Sequence, residues 1–122
     1  MPRFVVLQHE TPPGYVRKTH FDLMLESAGV LHTWAMEQLP AANETVSAER
    51  LADHRLHYLD FEGAVGGDRG SVRRVDAGEY SLVETAGSVM KILMLGKQLR
   101  GVLALAADGE DAQRWRISLS AD

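Results

Sequence analysis

The sequence contains no cysteine among its 122 residues. A chain without thiols forms no disulfide, holds no iron–sulfur cluster and offers no thiolate to zinc. This absence fits a reducing compartment, so we expect a cytoplasmic protein. No stretch approaches the roughly 18 consecutive apolar residues of a membrane span, and Met1-Pro2-Arg3-Phe4 opens no apolar leader. We therefore expect no membrane contact.

Excess positive charge is also missing, because the formal net charge is −4. A protein that coats nucleic acid by bulk charge needs a basic surface, so that class is excluded. Any contact with phosphates has to be local. The densest basic segment carries Arg69, Arg73 and Arg74, and a solvated strand face explains it equally well.

Long helical patterns are scarce, since no helix-period segment exceeds about two turns. One short helix is predicted over 47–51 with Ser47 as its N-cap, and a turn at 76–78.

Apolar residues make up 45% of the chain, which is typical of a globular protein. We expect a single domain over 1–122 with a mostly all-β fold, a small antiparallel β-barrel with one or two short helices. Strands are predicted over 3–9, 20–26, 30–36, 71–75, 79–84, 89–95, 98–105 and 115–119.

The strand predicted over 20–26 alternates strictly between apolar and other side chains. Its apolar members are Phe21, Leu23 and Leu25, and the others are His20, Asp22, Met24 and Glu26. Successive side chains on a strand point to opposite faces, so the apolar set enters a core and the other set lines a second surface. On that surface His20 and Asp22 stand roughly 6.5–7 Å apart at their Cα atoms. Both can reach one cation.

A third ligand is available at the end of the first strand. If that strand lies beside the central one, His9 comes close to His20 and Asp22. Two imidazoles and a carboxylate form a site typical of Mn²⁺, Fe²⁺, Zn²⁺ or Co²⁺. Glu26 could support one of the imidazoles. A plain surface pair of His20 and Asp22 is the alternative that the pattern leaves open.

A second polar cluster contains His54 and Tyr58, four residues apart in a predicted loop. The two could contact a phosphate, or His54 could act as a general acid. Equally, Tyr58 could pack on the barrel while His54 caps a turn. The residues alone do not decide between these interpretations.

Taken in order, several segments resemble the 3′-phosphoesterase domain of bacterial DNA ligase D, also called the DNA polymerase–ligase N-terminal domain family. The resemblance covers about residues 4 to 116. It rests on FVVLQH at 4–9, HFDLMLE at 20–26, GVLHTWA at 29–35, DHRLHYLDFEG at 53–63, GSV at 70–72, DAGEY at 76–80 and GKQLRG at 96–101.

The resemblance implies a small β-barrel with short flanking helices. It further implies an enzyme that uses Mn²⁺ to remove a 3′-terminal ribonucleoside and then a 3′-phosphate from a primer strand. By position, the metal ligands are His9, His20 and Asp22. The residues that work on the scissile phosphate are His54 and Tyr58.

Several positions depart from the family pattern. Met24 stands where the family has an arginine that clamps the phosphate, and methionine neither carries charge nor donates a hydrogen bond. Ala52 replaces a glutamate, Val46 an arginine, and Pro12-Pro13-Gly14 lengthens the first loop. Four cations could replace the clamp: Arg17, Lys18, Arg55 and Arg69. We assign substrate binding to Arg55 and Arg69.

Three functions follow as hypotheses. The first is a free-standing, divalent-metal-dependent phosphoesterase that processes DNA or RNA 3′ ends, or a small phosphoester, in DNA end repair, with DNA-repair proteins as expected partners. The second is a binding module of the same fold with weakened catalysis. The third is a cupin-like non-haem iron enzyme, because Gly14, His20, Asp22 and Glu26 have roughly the spacing of a first cupin motif.

Overall fold

The computed structural model describes residues 1–109 and 113–120. Within these ranges, no helix is long and apolar enough to cross a bilayer. The only helix among the described residues is a short 3₁₀ helix, Leu56–Leu59. The strands are β1 Arg3–Glu10, β2 His20–Ser27, β3 Val30–Met36, β4 Thr45–His54, β5 Gly63–Ala64, β6 Ser71–Ala86, β7 Val89–Leu95, β8 Arg100–Ala107 and β9 Arg114–Ser120.

The strands form one antiparallel sheet in the order β1-β2-β3-β4-β9-β8-β7-β6, and pairing of β1 with β6 closes eight of them into a ring. The two-residue β5 adds to β6 outside the ring. Closure leaves few strand edges exposed to another chain. The predicted mostly all-β, antiparallel fold is confirmed. The single domain stays a prediction.

The alternating strands face two separate apolar clusters. Phe4, Val6 and Leu23 point into the ring, where they meet side chains from strands all round it. Val5 and Met24, from the opposite parity of β1 and β2, lie in a second cluster outside the ring. The 3₁₀ helix covers that outer cluster through Leu59. The outer face of β1 and β2 is therefore enclosed rather than solvated.

The short helix predicted over 47–51 is wrong. Those residues lie in β4, which pairs with β3 on one side and β9 on the other. Val46 and Ala48 from this strand enter the inner core. Helix propensities differ by only about 0.7 kcal/mol per residue among ordinary residues, so two ladders of hydrogen bonds and core burial outweigh them.

The turn predicted at 76–78 is also wrong, because β6 runs unbroken through it. Its first half pairs with β1 and its second half with β7. A register shift between Val6 and Leu7 marks a bulge in the half of β6 that pairs with β1. Farther along β6, Gly78 allows a close approach to β7, since a Cβ there would stand 2.4 Å from the Leu95 carbonyl oxygen.

Candidate metal centre

The register of β1 and β2 brings three sequence-distant ligands together. His9 is the direct cross-strand partner of His20, and Asp22 follows two residues later on the same face. One potential ligand atom from each of the three residues lies within 4.8 Å of the others. The expected neighbourhood of β1 and β2 is confirmed, and it places the three side chains at one point on the outer face of the ring.

Backbone carbonyls orient both imidazoles. His9 Nε2 lies 2.7 Å from the Arg69 carbonyl oxygen, and His20 Nδ1 lies 2.7 Å from the Lys18 carbonyl oxygen. A carbonyl only accepts, so these ring nitrogens carry the protons and donate them. The lone pairs then belong to His9 Nδ1 and His20 Nε2, at 3.7 and 3.0 Å from the Asp22 carboxylate. Metal-binding histidines are oriented in this way.

The carboxylate between them is buried, with 3% of Asp22 exposed. Burial by itself would raise the pKa of Asp22, but His20 and then His9 outweigh it and hold the pKa below its ordinary value. The contact with Asp22 in turn raises the pKa of His9. Asp22 Oδ1 has no hydrogen-bond partner of good geometry, one of two such buried side-chain atoms in the part of the chain that the structure describes. A divalent cation fits this donor set because it would satisfy that oxygen and both lone pairs.

The three ligands lie in a cleft of about 300 Å³. Across it stand His54 and Tyr58, with ring centroids 5.6 Å apart. The cleft is lined by His9, Tyr15, Arg17, His20, Asp22, Met24, Leu51, Ala52, His54, Tyr58, Val65, Arg69 and Val72. An imidazole and a phenol therefore face the same small space as the candidate metal ligands.

A bulge in β4 turns His54 toward the cleft. Leu51 pairs with Thr33 and His54 pairs with Leu31, so three steps along β4 match two along β3. Without the extra residue, period-two alternation would place Leu51 and His54 on opposite faces. His54 Nδ1 lies 2.9 Å from the Ala52 carbonyl oxygen. That nitrogen donates to the carbonyl, which leaves Nε2 available to a substrate atom.

The other predicted site residues divide into those that line the cleft and those that do not. Arg69 lines it, and its Nε donates to the Gly66 carbonyl oxygen at 2.6 Å. Arg55 is exposed, just before the 3₁₀ helix, and is not among the lining residues. Lys18 lines an adjoining groove. Glu26 Oε1 accepts from the Arg3 backbone N–H at 2.8 Å, at the far end of β2 from the imidazoles.

Sequence reasoning missed one ion pair at the cleft. Arg17 Nη2 lies 2.6 Å from Glu49 Oε2. Arg17 was among the possible clamp residues, but Glu49 was placed in a helix, and nothing in the local pattern pairs the two. Tyr15 was missed as well, with its ring centroid 6.0 Å from that of His9.

Comparison with known proteins identifies the family. Residues 9–107 match the model of the DNA ligase D 3′-phosphoesterase domain. The chain belongs to this family. Its relatives include the multifunctional non-homologous end joining protein LigD of Pseudomonas aeruginosa, 28% identical over 121 residues, which are 94% of this chain and 13% of that protein.

Two mycobacterial relatives match shorter stretches. The multifunctional non-homologous end joining DNA repair protein LigD of Mycobacterium tuberculosis H37Rv is 35% identical over 82 residues, 63% of this chain and 10% of that protein. LigD of Mycolicibacterium smegmatis is 37% identical over 86 residues, 64% of this chain and 10% of that protein. The chain thus spans about a tenth of the length of these relatives.

The structure also locates the departures from the ligase D phosphoesterase pattern. Met24 is 1% exposed and lines the cleft beyond Asp22 on β2. Leu51 and Ala52 line it from β4. One wall of the cleft is therefore apolar where the resemblance implies charged groups.

Replacing Gly70 with alanine is expected to destabilise the protein by at least about 2 kcal/mol. Gly70 has φ +89°, and a Cβ there would stand 1.9 Å from the Glu10 carbonyl oxygen. The loop would have to move away from β1, and the neighbouring Arg69 carbonyl, which orients His9, would move with it. Chemical denaturation of Gly70→Ala measures the effect.

Gly66→Ala is the matched control, because a Cβ at Gly66 meets no atom within 4 Å and its φ lies outside the left-handed region. We expect its unfolding free energy to change by less than about 0.5 kcal/mol. Equal stabilities of the two variants would contradict the proposed close approach of Gly70 to β1.

Proposed function

We propose that this protein is a divalent-metal-dependent phosphoesterase that acts on phosphate esters at the 3′ ends of DNA or RNA, with Mn²⁺ as its metal. The observation that carries the proposal is the meeting of His9, His20 and Asp22 in one cleft with His54 and Tyr58. Membership in the ligase D 3′-phosphoesterase domain family supports a phosphoesterase role in end repair. The same membership gives no support to a cupin-like iron enzyme.

In this proposal His9, His20 and Asp22 hold the cation. The bound ion would draw charge from a phosphate oxygen and make a nearby water more acidic. The Arg69 and Lys18 carbonyls keep the imidazoles in the tautomers that offer lone pairs to the ion. The negative charge of Asp22 offsets part of the positive charge of the ion in the buried site.

His54 is the residue that transfers a proton to or from the substrate. Its Nδ1 is held by the Ala52 carbonyl, so Nε2 exchanges protons with the substrate. A neutral His54 accepts a proton there, while a protonated one donates to the leaving oxygen or to the transition-state charge. The hydroxyl of Tyr58, whose ring stands edge-on to His54, donates a hydrogen bond to the phosphate or orients that imidazole.

The negative charge of the substrate phosphates is neutralised by individual cations near the cleft. The protein has a net charge of −4, so binding of a DNA or RNA end relies on individual cations near the cleft. Arg69 is placed to serve, as a lining residue. Arg55 would contact a longer strand outside the cleft, because it is exposed before the 3₁₀ helix. DNA-repair proteins remain proposed partners.

A His54→Ala variant is expected to release phosphate at least about 100-fold more slowly than the unchanged protein, because general acid–base catalysis contributes about that much. The substrate is a primer–template with a 3′-phosphate, supplied with Mn²⁺. The affinity for Mn²⁺ should stay unchanged, since His54 is not one of the three ligands. Phosphate release and Mn²⁺ binding are measured on the same preparations.

His32→Ala is the control, because His32 is a half-buried strand histidine outside the cleft. Its rate should match that of the unchanged protein. If the rate of phosphate release fell equally in His54→Ala and His32→Ala, the role assigned to His54 would be contradicted.

The apolar wall favours a second candidate, a module that binds 3′ ends without turnover. Met24 and Ala52 offer no charge to a phosphate in the transition state. If the unchanged protein retains the 3′-phosphorylated DNA with Mn²⁺ but releases no phosphate at high protein concentration, binding replaces catalysis as the function.

A further inference from the structure

Arg17 forms an ion pair at the edge of the cleft with Glu49, a residue distant from it in sequence. It belongs to the segment between β1 and β2, whereas Glu49 belongs to β4. Their side chains are 32% and 47% exposed, and Nη2 stands 2.6 Å from Oε2. Holding two flexible side chains in one geometry costs rotamer entropy. This pair fixes a guanidinium at a cleft that also contains the candidate metal ligands.

The sheet register sets the distance between this pair and the metal ligands. Asp22 pairs with Ala35, and Ala35 pairs with Glu49, so the three form one row across β2, β3 and β4. Cross-strand partners share a face. Two strand spacings separate Asp22 from Glu49, about 10 Å at Cα. Arg17 and the three candidate ligands line the same cleft of about 300 Å³, so a phosphate bound in that cleft lies between them.

The next row offers no such contact. Met24 pairs with Thr33, and Thr33 pairs with Leu51. Thr33 is fully buried and donates its hydroxyl to the Leu31 carbonyl oxygen. An anion in the cleft therefore finds no donor from this part of the wall. Its polar contacts come instead from the row of Asp22, from His54 and Tyr58, or from the loops.

Two guanidinium groups line the cleft within residues 1–109 and 113–120, those of Arg17 and Arg69. Arg69 uses Nε for the Gly66 carbonyl, and its own carbonyl orients His9. The contact of Arg17 with Glu49 uses Nη2. A guanidinium has five N–H donors, so most of its fork remains available to phosphate oxygens.

We infer that Arg17, oriented by Glu49, binds a non-bridging oxygen of the substrate phosphate. Arg17 is thus the substrate-binding residue that takes the place of a charged group at Met24, and Glu49 is its positioning residue. This inference rests on the proposed phosphoesterase function. It assigns the phosphate contact to a loop residue rather than to the central strand.

The test compares Arg17→Ala, Arg17→Lys and Glu49→Gln with the unchanged protein on the 3′-phosphate primer–template. Removing the Arg17 guanidinium should raise KM at least about tenfold, the size of one lost charge-assisted contact. Lysine should recover part of the loss, since it keeps the charge but not the fork. The Glu49→Gln variant should raise KM by a smaller factor. Affinity for Mn²⁺ should stay unchanged in all three, which a general structural defect would not allow.

Arg3→Ala is the matched control, because Arg3 makes a 2.9 Å ion pair with Asp60 outside the cleft lining. Its KM should equal that of the unchanged protein. The inference is overturned if Arg17→Ala changes KM no more than Arg3→Ala does. A KM that falls in Glu49→Gln overturns the positioning role of Glu49, because the carboxylate would then compete with the phosphate.

A binding assay separates this inference from the proposed function. It measures the affinity for a 3′-phosphorylated oligonucleotide relative to the same oligonucleotide with a 3′-hydroxyl. If no phosphate is released but the preference for the phosphorylated end disappears in Arg17→Ala, the phosphoesterase proposal fails, and Arg17 is kept as the contact for a bound 3′-phosphate. If turnover is normal and Arg17→Ala keeps the preference, the inference alone fails. An unchanged protein with neither turnover nor preference overturns both.

Discussion

An Asp22→Asn variant is expected to bind Mn²⁺ at least about 100-fold more weakly than the unchanged protein, and to release phosphate correspondingly more slowly. Loss of a group that merely supports a ligand costs about 10–100-fold in metal affinity, and loss of a charged ligand costs more. Asp22 is the only carboxylate in the group of three candidate ligands. The amide keeps the shape of the side chain but removes the charge that attracts the ion between two imidazoles.

Isothermal titration with Mn²⁺ measures the affinity. A His20→Ala variant should also bind Mn²⁺ more weakly than the unchanged protein. Glu26→Gln is the matched control, because it makes the same carboxylate-to-amide change on the same strand, and Glu26 Oε1 accepts from the Arg3 backbone N–H at the far end of β2 from the ligands. Mn²⁺ should also raise the thermal unfolding temperature of the unchanged protein and not that of Asp22→Asn. Equal Mn²⁺ affinity in Asp22→Asn and Glu26→Gln would remove the metal site.

An Asp76→Ala variant is expected to lose about 3 kcal/mol or more of unfolding free energy. Asp76 is 5% exposed. Its carboxylate accepts hydrogen bonds from the backbone N–H groups of Ala77, Lys97, Gln98 and Leu99 at 2.8–3.1 Å. Alanine would leave these donors without their acceptor and would open a void at the turn between β7 and β8. The turn that closes this part of the ring therefore depends on one side chain from β6.

Urea denaturation and thermal unfolding measure this loss, which corresponds to a fall in Tm of about 10 °C for a chain of this size. The control is Asp60→Ala, since the Asp60 side chain is 73% exposed in its ion pair with Arg3. Exposed pairs contribute at most about 1 kcal/mol. Asp76→Asn should fall close to Asp76→Ala, because its NH₂ group would face backbone donors. A Tm for Asp76→Ala within a degree or two of that for Asp60→Ala would contradict the argument.

The cleft combines parts of different origin. The candidate metal ligands come from two adjacent strands, β1 and β2, whose register is fixed along six paired positions from Phe4–Leu25 to His9–His20. The proposed phosphate contact comes from a loop and is tied to β4 by Glu49. A strand-borne metal site is therefore expected to tolerate little change, whereas the loop that carries Arg17 can vary in length and sequence more freely.

Much of the metal centre was predictable because its logic is local. The alternation of residues 20–26 placed His20 and Asp22 on one face, and the two apolar clusters agree with it, since Leu23 and Leu25 lie inside the ring and Met24 lies outside it. The apolar character of β1 marked it as a strand, and a closed antiparallel sheet makes β1 a neighbour of β2. The ordered segments of the resemblance then pointed to His9 as the third candidate ligand, and the structure places it beside the other two.

The errors fell where local preference and long-range pairing disagree. Ala48, Glu49 and Leu51 are good helix formers, yet β3 and β9 hold them in a strand. The sequence Asp76-Ala77-Gly78 is typical of a turn, yet here Asp76 serves a turn that lies more than twenty residues later in the chain. Propensity describes an isolated segment, and tertiary pairing contributes more free energy than propensity does.

By itself the sequence determined the β character, the two-faced central strand, the His20–Asp22 pair and the family, because period-two alternation and ordered motifs are properties of the chain read in one dimension. Only the tertiary structure decided that the bulge after Leu51 turns His54 to the cleft and that Arg17 meets Glu49. The physical reason is register. Which residues face each other across a sheet depends on hydrogen-bond partners distant in sequence, and one inserted residue reverses the face of all that follow it.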